Sequence, residues 1–192
     1  MNTKTELYGL ILAGGKSERM GKAKAFINYH GIPQVDYLFK LLSTHCKKVF
    51  VSCKDSSLIN KSQNPIADQF NLDTPLNGLL TAFEKYPGKT WISVPVDMPY
   101  LDDKLLQHLI LHRNKIKSAT CYYDSGGTTP EPLLCIWEKS IQNKMKKYFE
   151  AGGVSPREVL QNTDVQILHI PDKKYLLNIN TPEELSAFKK KN

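Results

Sequence analysis

The residues with the most chemical potential lie close together, between Leu7 and Phe26, in the stretch LYGLILAGGKSERMGKAKAF. An apolar run ends on Ala13-Gly14-Gly15, and a short polar loop follows with Lys16, Glu18, Arg19, Gly21 and Lys22, then Lys24. Adjacent glycines let a backbone pass close to a ligand. Successive backbone N–H groups in such a turn form a concave anion site. Arg19 offers a planar fork of donors and Lys24 a compact charge, both suited to phosphate. The chemistry this implies is the binding of nucleotide phosphates. The spacing fits neither G-x-x-x-x-G-K-[ST] nor G-x-G-x-x-G. The residues alone also accommodate a glycine turn followed by solvated basic side chains.

Two carboxylates stand in suitable company. Asp97 follows the apolar run Trp91–Val96, where ligands of open α/β sheets gather. A carboxylate there can hold Mg²⁺, which takes one or two carboxylates together with phosphate oxygens. Asp97 also fits a plain turn before Met98-Pro99. Asp68 ends a shorter extended stretch and could equally be a turn former or a cap. Gly78, in TPLNGLL, allows a close approach either to a ligand or at a tight helix entry. His108 and His112 have i, i+4 spacing without the H-E-x-x-H pattern, which reads as two surface polar side chains.

The elements that must position these residues alternate between strand-like and helix-like patterns. Strands are predicted for Leu7–Leu12, Val49–Ser52, Asn64–Asp68, Trp91–Val96, Ala119–Tyr123, Leu133–Trp137, Val165–Ile170 and Tyr175–Ile179. Ala25–Asn28 reads as a short extended piece. Helices are predicted from Pro33 to Thr44, through Tyr86, over Asp102–His112, Ser140–Glu150 and Pro156–Leu160, and from Thr181 onward, where Thr181-Pro182-Glu183-Glu184 carries a capping box. This alternation implies an α/β fold with a mostly parallel sheet covered on both faces. No linker divides the 192 residues, so a single domain spanning 1–192 is expected.

Hydrophobic residues make up 41% and charged residues 23%, ordinary for a globular domain. No apolar run is long enough for a membrane span. The N-terminus lacks the pattern of an export signal. Cys46, Cys53, Cys121 and Cys135 form no C-x-x-C pair, which suits reduced thiols and a cytoplasmic location. The net charge of +7 suits anionic small molecules. The basic residues are dispersed and not interleaved with aromatics, so no nucleic acid partner is expected.

The stretch Leu12, Ala13, Gly14, Gly15, Ser17, Arg19, Met20, Gly21 and Lys24 resembles the L-A-G-G-x-S-x-R-M-G-x-x-K signature of the molybdenum cofactor guanylyltransferase family. Ala23 stands where many members carry Asp, and Ser52 where some carry a nucleotide-touching Asn. VPVDMPYL, TPLNGLL and NINTPEEL resemble further family segments, in the same order, over about residues 7–188. The resemblance implies a Rossmann-like three-layer α/β/α sandwich of the nucleotide-diphospho-sugar transferase type. It implies nucleotide binding by Leu12, Ala13, Gly14, Gly15, Lys24, Asp68, Gly78 and Asp97. Arg19, Lys24 and Asp97 would be catalytic, Asp97 the Mg²⁺ ligand, and Asn180 would face the acceptor. Glu131-Pro132-Leu133 resembles an acceptor-side segment.

The implied activity is transfer of GMP from GTP to molybdenum-molybdopterin, with delivery of the product to cofactor-accepting enzymes. The Gly14-Gly15 pair favours GTP over CTP within this resemblance. Three alternatives remain: the same chemistry on a different phosphorylated acceptor, a non-catalytic nucleotide-binding domain, and a basic nucleic-acid binder.

Overall fold

The computed structural model describes residues 6–14, 24–179 and 181–191. The apolar run before the glycines forms β1 (Tyr8–Leu12), at the centre of the parallel half of the sheet. β1 pairs in parallel with β2 (Lys48–Cys53) on one side and β4 (Trp91–Pro95) on the other. β3 (Pro65–Ala67) extends the sheet beyond β2. On the far side of β4 come β6 (Pro130–Trp137), β5 (Ala119–Tyr123) and β7 (Val165–Leu168), giving the order β3-β2-β1-β4-β6-β5-β7. β6 runs antiparallel to both β4 and β5, and the other pairings are parallel.

Alternation along β1 sends Ile11 to one face and Leu10 and Leu12 to the other. The first face packs on α1 (Gln34–His45) and α3 (Asp103–Leu111), through Leu38, Leu42, Leu105 and Leu109. The second packs on α2 (Leu76–Lys85), α4 (Gln142–Glu150) and α5 (Pro156–Gln161), through Leu76, Leu79, Met145 and Leu160. The expected three-layer sandwich is therefore present. Burying one such leucine contributes about 1.5–3 kcal/mol, so both helical layers are firmly attached. α6 (Pro182–Lys191) closes a smaller cluster of Ile27, Tyr29, Ile179 and Phe188. Its capping box forms as the sequence implies: Glu184 N donates to Thr181 Oγ1, and Thr181 N to Glu184 Oε2, both at 3.2 Å.

Pro95 lies inside β4 at no cost to the ladder. Val96 N donates to Leu12 O on the β1 side, so the missing donor of Pro95 falls on the β6 side. Pairing with β6 has already ended there, at Ser93↔Cys135.

Two sequence expectations need correction. Ala25–Asn28 is not an extended piece: Lys24–Phe26 forms a 3₁₀ turn, and only the single bridge Asn28↔Pro33 is strand-like. Tyr175–Ile179 is not a strand either, because Lys173–Leu176 is a 3₁₀ turn capped by Asp172. Tyr175 and Leu176 are both buried in that turn. The Tyr175 hydroxyl donates to Asp102 Oδ2 at 2.9 Å, tying the turn to the start of α3. Ser56–Leu58 forms a further 3₁₀ turn, capped by Asp55.

Gly78 sets how closely α2 can approach β2. A Cβ there would overlap Ser52 Oγ and lie 3.0 Å from Leu12 Cδ2. Gly78→Ala should therefore lower stability by about 1–3 kcal/mol through overpacking. Urea melts of Gly78→Ala, Ser52→Ala and the double variant test the cause. The double variant should be less destabilised than the sum of the two single variants.

Candidate functional site

The parallel register brings the ends of three strands to one level. Leu12 is opposite both Ser52 and Pro95. Ala13 N donates to Ser52 O at 2.9 Å, and Val96 N to Leu12 O at 3.3 Å. Just past these ends lies a cleft of about 230 Å³. Of the residues singled out in the sequence, Leu12, Ala13, Gly14, Lys24, Asp68, Gly78 and Asp97 line it. Gly15, Arg19 and Asn180 lie outside the described residues.

Lys24 and Asp97 meet across the cleft, with Nζ 3.2 Å from Oδ2. Both side chains are largely shielded, at 18% and 23% exposure. Attraction between them is therefore less screened than in a surface pair. Asp97 Oδ1 is buried and has no hydrogen-bond partner among the described residues. Its backbone is held in place, since Ile179 N donates to Asp97 O at 3.1 Å. One carboxylate with an uncommitted oxygen, already drawing an ammonium to its other oxygen, fits a divalent cation that takes its remaining ligands from phosphates. Among the described residues, no cluster of three or more His, Cys, Asp or Glu side chains could hold a metal unaided.

At the other end of the cleft Ser52 Oγ donates to Asp68 Oδ1 at 2.6 Å. Burial pushes the Asp68 carboxyl above its ordinary range, against the opposing effects of the Ser52 hydroxyl and the Lys54 charge. Gly14 sits close beside it: a Cβ there would lie 3.1 Å from Asp68 Oδ2 and press on the carboxylate. The loop from Asp68 to Pro75 is shaped by one buried amide. Asn77 Oδ1 accepts from Phe70 N at 3.1 Å, and Asn77 Nδ2 donates to Phe70 O and Leu72 O. Thr81 Oγ1 accepts from Gln69 N at 3.1 Å. α2 thus fixes the path of this loop through Asn77 and Thr81.

Sequence reasoning missed several lining residues. Lys54 lies two residues past Ser52 and makes a 2.6 Å ion pair with Asp73, and both line the cleft. The rule that ligands gather at strand ends would have singled out Lys54. Ser52 was read only as a replaced asparagine, yet its hydroxyl orients Asp68. Glu131 does not line the cleft, although Leu133, two residues on, does. Glu131 Oε1 accepts from Leu133 N at 2.9 Å, and burial raises its carboxyl pKa. His108 is half-buried, with Nδ1 2.9 Å from the Tyr122 hydroxyl, and so belongs to the packing of α3 on β5. All four cysteines are buried thiols.

A cleft at the carboxyl edge of a parallel sheet, with an ammonium facing a carboxylate, is the place where open α/β folds bind their ligands. Residues 9–167 match the MobA-like NTP transferase domain, and the chain belongs to that family of nucleotidyltransferases. It is 34% identical over 186 residues to a molybdenum cofactor biosynthesis bifunctional protein of Synechocystis, covering 95% of this chain but 53% of that relative. It thus spans about half the length of that protein. It is 29% identical over 188 residues to a molybdenum cofactor guanylyltransferase of Pseudomonas fluorescens, covering 93% of this chain and 91% of the relative.

Solved structures share the fold. The molybdopterin-guanine dinucleotide biosynthesis protein A of Archaeoglobus fulgidus superposes with a TM-score of 0.78 at 20% identity, covering 96% of this chain and 97% of that one. A 2-C-methyl-D-erythritol 4-phosphate cytidylyltransferase of Thermus thermophilus reaches 0.71 at 10% identity, covering 94% and 96%. The architecture is therefore common to enzymes named for different nucleotides. No helix among the described residues is long and apolar enough to cross a membrane.

Beside the cleft, the β5–β6 turn is fastened by Arg157, which donates to Asp124 Oδ2 at 2.9 Å and Thr129 Oγ1 at 2.6 Å. Hydrogen bonds from Thr129, Thr128 and Arg157 lower the Asp124 carboxyl from the ordinary 3.8 to about 2. A carboxylate with a depressed folded-state pKa stabilises the protein above its unfolded pKa and loses that contribution as pH falls toward the folded value. Asp124→Asn should therefore be less stable than the parent in urea at pH 7. The difference should shrink steadily between pH 4 and pH 2.

Proposed function

We propose that the chain transfers GMP from GTP to the terminal phosphate of molybdenum-molybdopterin, forming the guanine dinucleotide cofactor and releasing pyrophosphate. The observation that carries this reading is the Lys24–Asp97 pair facing into the cleft next to Gly14. The names of the Synechocystis and Pseudomonas fluorescens relatives supply the acceptor and the base. In the same reading the chain acts as one nucleotidyltransferase domain in the cytoplasm and hands its product to cofactor-accepting enzymes.

The reaction is an in-line displacement. An oxygen of the acceptor phosphate forms a bond to the α-phosphorus of GTP, and the bond between that phosphorus and the α,β-bridging oxygen breaks. The electron pair leaves with pyrophosphate. The acceptor phosphate is ionised at neutral pH, so no protein base is required. Little covalent chemistry falls to the protein, which contributes positioning and charge stabilisation.

Gly14 and Gly15 present backbone N–H groups to the triphosphate, flanked by Leu12 and Ala13. Lys24 and Arg19 offset charge at the α-phosphate and on the departing pyrophosphate. Asp68, oriented by Ser52, accepts hydrogen bonds from the nucleoside, and Gly78 floors that end of the cleft. By the family resemblance Asn180 would contact the acceptor. Asp97 would hold Mg²⁺, which supplies neutralisation of phosphate charge and a fixed geometry for the phosphate oxygens.

Lys24→Ala and Asp97→Ala should remain folded by circular dichroism and lose about 10²–10³ in turnover. Wild-type turnover in either would refute the roles given to them. The reading as a whole is tested by pyrophosphate release with Mg²⁺ and each of GTP, CTP, ATP and UTP, with and without molybdopterin acceptor. Release with GTP and acceptor alone is the expected result. Release with CTP would shift the base preference, and release with a sugar phosphate but not the pterin would replace the acceptor.

A further inference from the structure

The histidines His108 and His112 take no part in the cleft, which neither of them lines. Both stand at the end of α3, His108 in its last turn and His112 as the residue that follows it. Their rings lie beside each other, with centroids 4.2 Å apart and planes inclined by 33°.

The hydrogen bonds of the pair fix which nitrogens carry protons. His112 Nδ1 lies 2.8 Å from His108 O, and a carbonyl only accepts, so Nδ1 is the protonated nitrogen. His108 Nδ1 lies 2.9 Å from the Tyr122 hydroxyl, which gives its one proton to Leu105 O at 3.3 Å. His108 Nδ1 is therefore a donor as well. In a neutral imidazole the other nitrogen is then an acceptor, so each ring presents a lone pair at Nε2. Burial, and the neighbouring His112, lower the pKa of His108, which keeps this ring neutral at pH 7.

Histidines that ligate metals are held in this way, one nitrogen toward the ion and the other N–H given to a fixed acceptor. An ion about 2.1 Å from each Nε2, with its two bonds at right angles, sets the ring centroids about 4.6 Å apart. The pair at 4.2 Å is close to that spacing. Right-angle positions belong to octahedral and square-planar ions, and imidazole nitrogen suits Ni²⁺ and Cu²⁺ among them. Mg²⁺, which prefers oxygen, is a poor fit. The carboxyl end of a helix carries partial negative charge and favours a cation. Arg113, the next residue, commits its own charge to Glu138 through bonds of 2.6 and 2.8 Å.

We propose that His108 and His112 form a metal site separate from the cleft, a two-nitrogen chelate through both Nε2 atoms for a divalent ion of the Ni²⁺ and Cu²⁺ class, with water in its remaining positions. The inference is independent of the reaction proposed above. Such an ion joins the last turn of α3 to the residue that ends it, while Tyr122 anchors the chelate to β5.

The test titrates tag-free protein with NiCl₂ by calorimetry, in excess Mg²⁺ so that oxygen sites are already filled. One ion per chain should bind. His112 is exposed, so His112→Ala keeps the fold. It should weaken binding at least as much as loss of an outer partner does, about 10–100-fold. His169→Ala, which removes an exposed histidine elsewhere, should leave binding unchanged. Ni²⁺ should raise the melting temperature of wild type and not that of His112→Ala. In NMR spectra, paramagnetic Ni²⁺ should broaden the imidazole signals of His108 and His112 before those of His30, His45 and His169. Binding undiminished in His112→Ala, broadening led by another histidine, or no Ni²⁺ binding to wild type would each overturn the inference. None of these results bears on the transfer reaction, which is read separately by pyrophosphate release.

Discussion

Parallel pairing of β1 with both neighbours is the constraint on which the rest depends. A strand hydrogen-bonded on both edges cannot slip by one residue without turning its buried faces inside out. The register Leu12↔Ser52 and Leu12↔Pro95 therefore fixes the height at which β2 and β4 end. Gly14, Ser52 and Asp97 reach the cleft because their strands stop together. The two helical layers fasten that register from either face, through Leu38 and Leu42 on one side and Leu76 and Leu79 on the other. The site is in this sense a by-product of the sheet. Its polar groups are placed by backbone pairing, and only their final orientation depends on side-chain bonds such as Ser52 to Asp68.

Much of this was legible in the sequence because it rests on local pattern. The apolar run into Gly14, the capping box at Thr181 and the alternation of strands and helices each depend on a few adjacent residues. Asp97 was legible for a related reason, since a carboxylate directly after a core strand has few other places to be. What failed to show was what depends on distant partners. The Tyr175 turn looks like a strand until the bond from the Tyr175 hydroxyl to Asp102 is known. The arm after Lys24 looks extended because Ala25, Phe26 and Ile27 suit a strand, and nothing local reveals the 3₁₀ turn that aims Lys24 at Asp97. Asn77 gave no signal, and Ser52 was marked only by the family resemblance, not for what its hydroxyl holds. Their importance lies in what they hold, Asp68 and the loop at Phe70, which are far from them along the chain or across a turn.

The close fit of Gly78 against Ser52 resolves an ambiguity that the sequence left even. The glycine is required first by packing, since any Cβ would strike the hydroxyl that orients Asp68. Its place in the cleft wall follows from the same approach. Helix packing and ligand access are here one requirement, met at one residue.

The contact between Lys24 and Asp97 also governs what the cleft can accept. A triphosphate alone would take the ammonium but oppose the carboxylate, and a cation alone would take the carboxylate but oppose the ammonium. A ligand that carries both charges at matching separation exchanges the internal contact for two external ones in a single event. Under the proposed function the pair would therefore act as a filter on stoichiometry, favouring the preassembled cation–triphosphate complex over either of its parts.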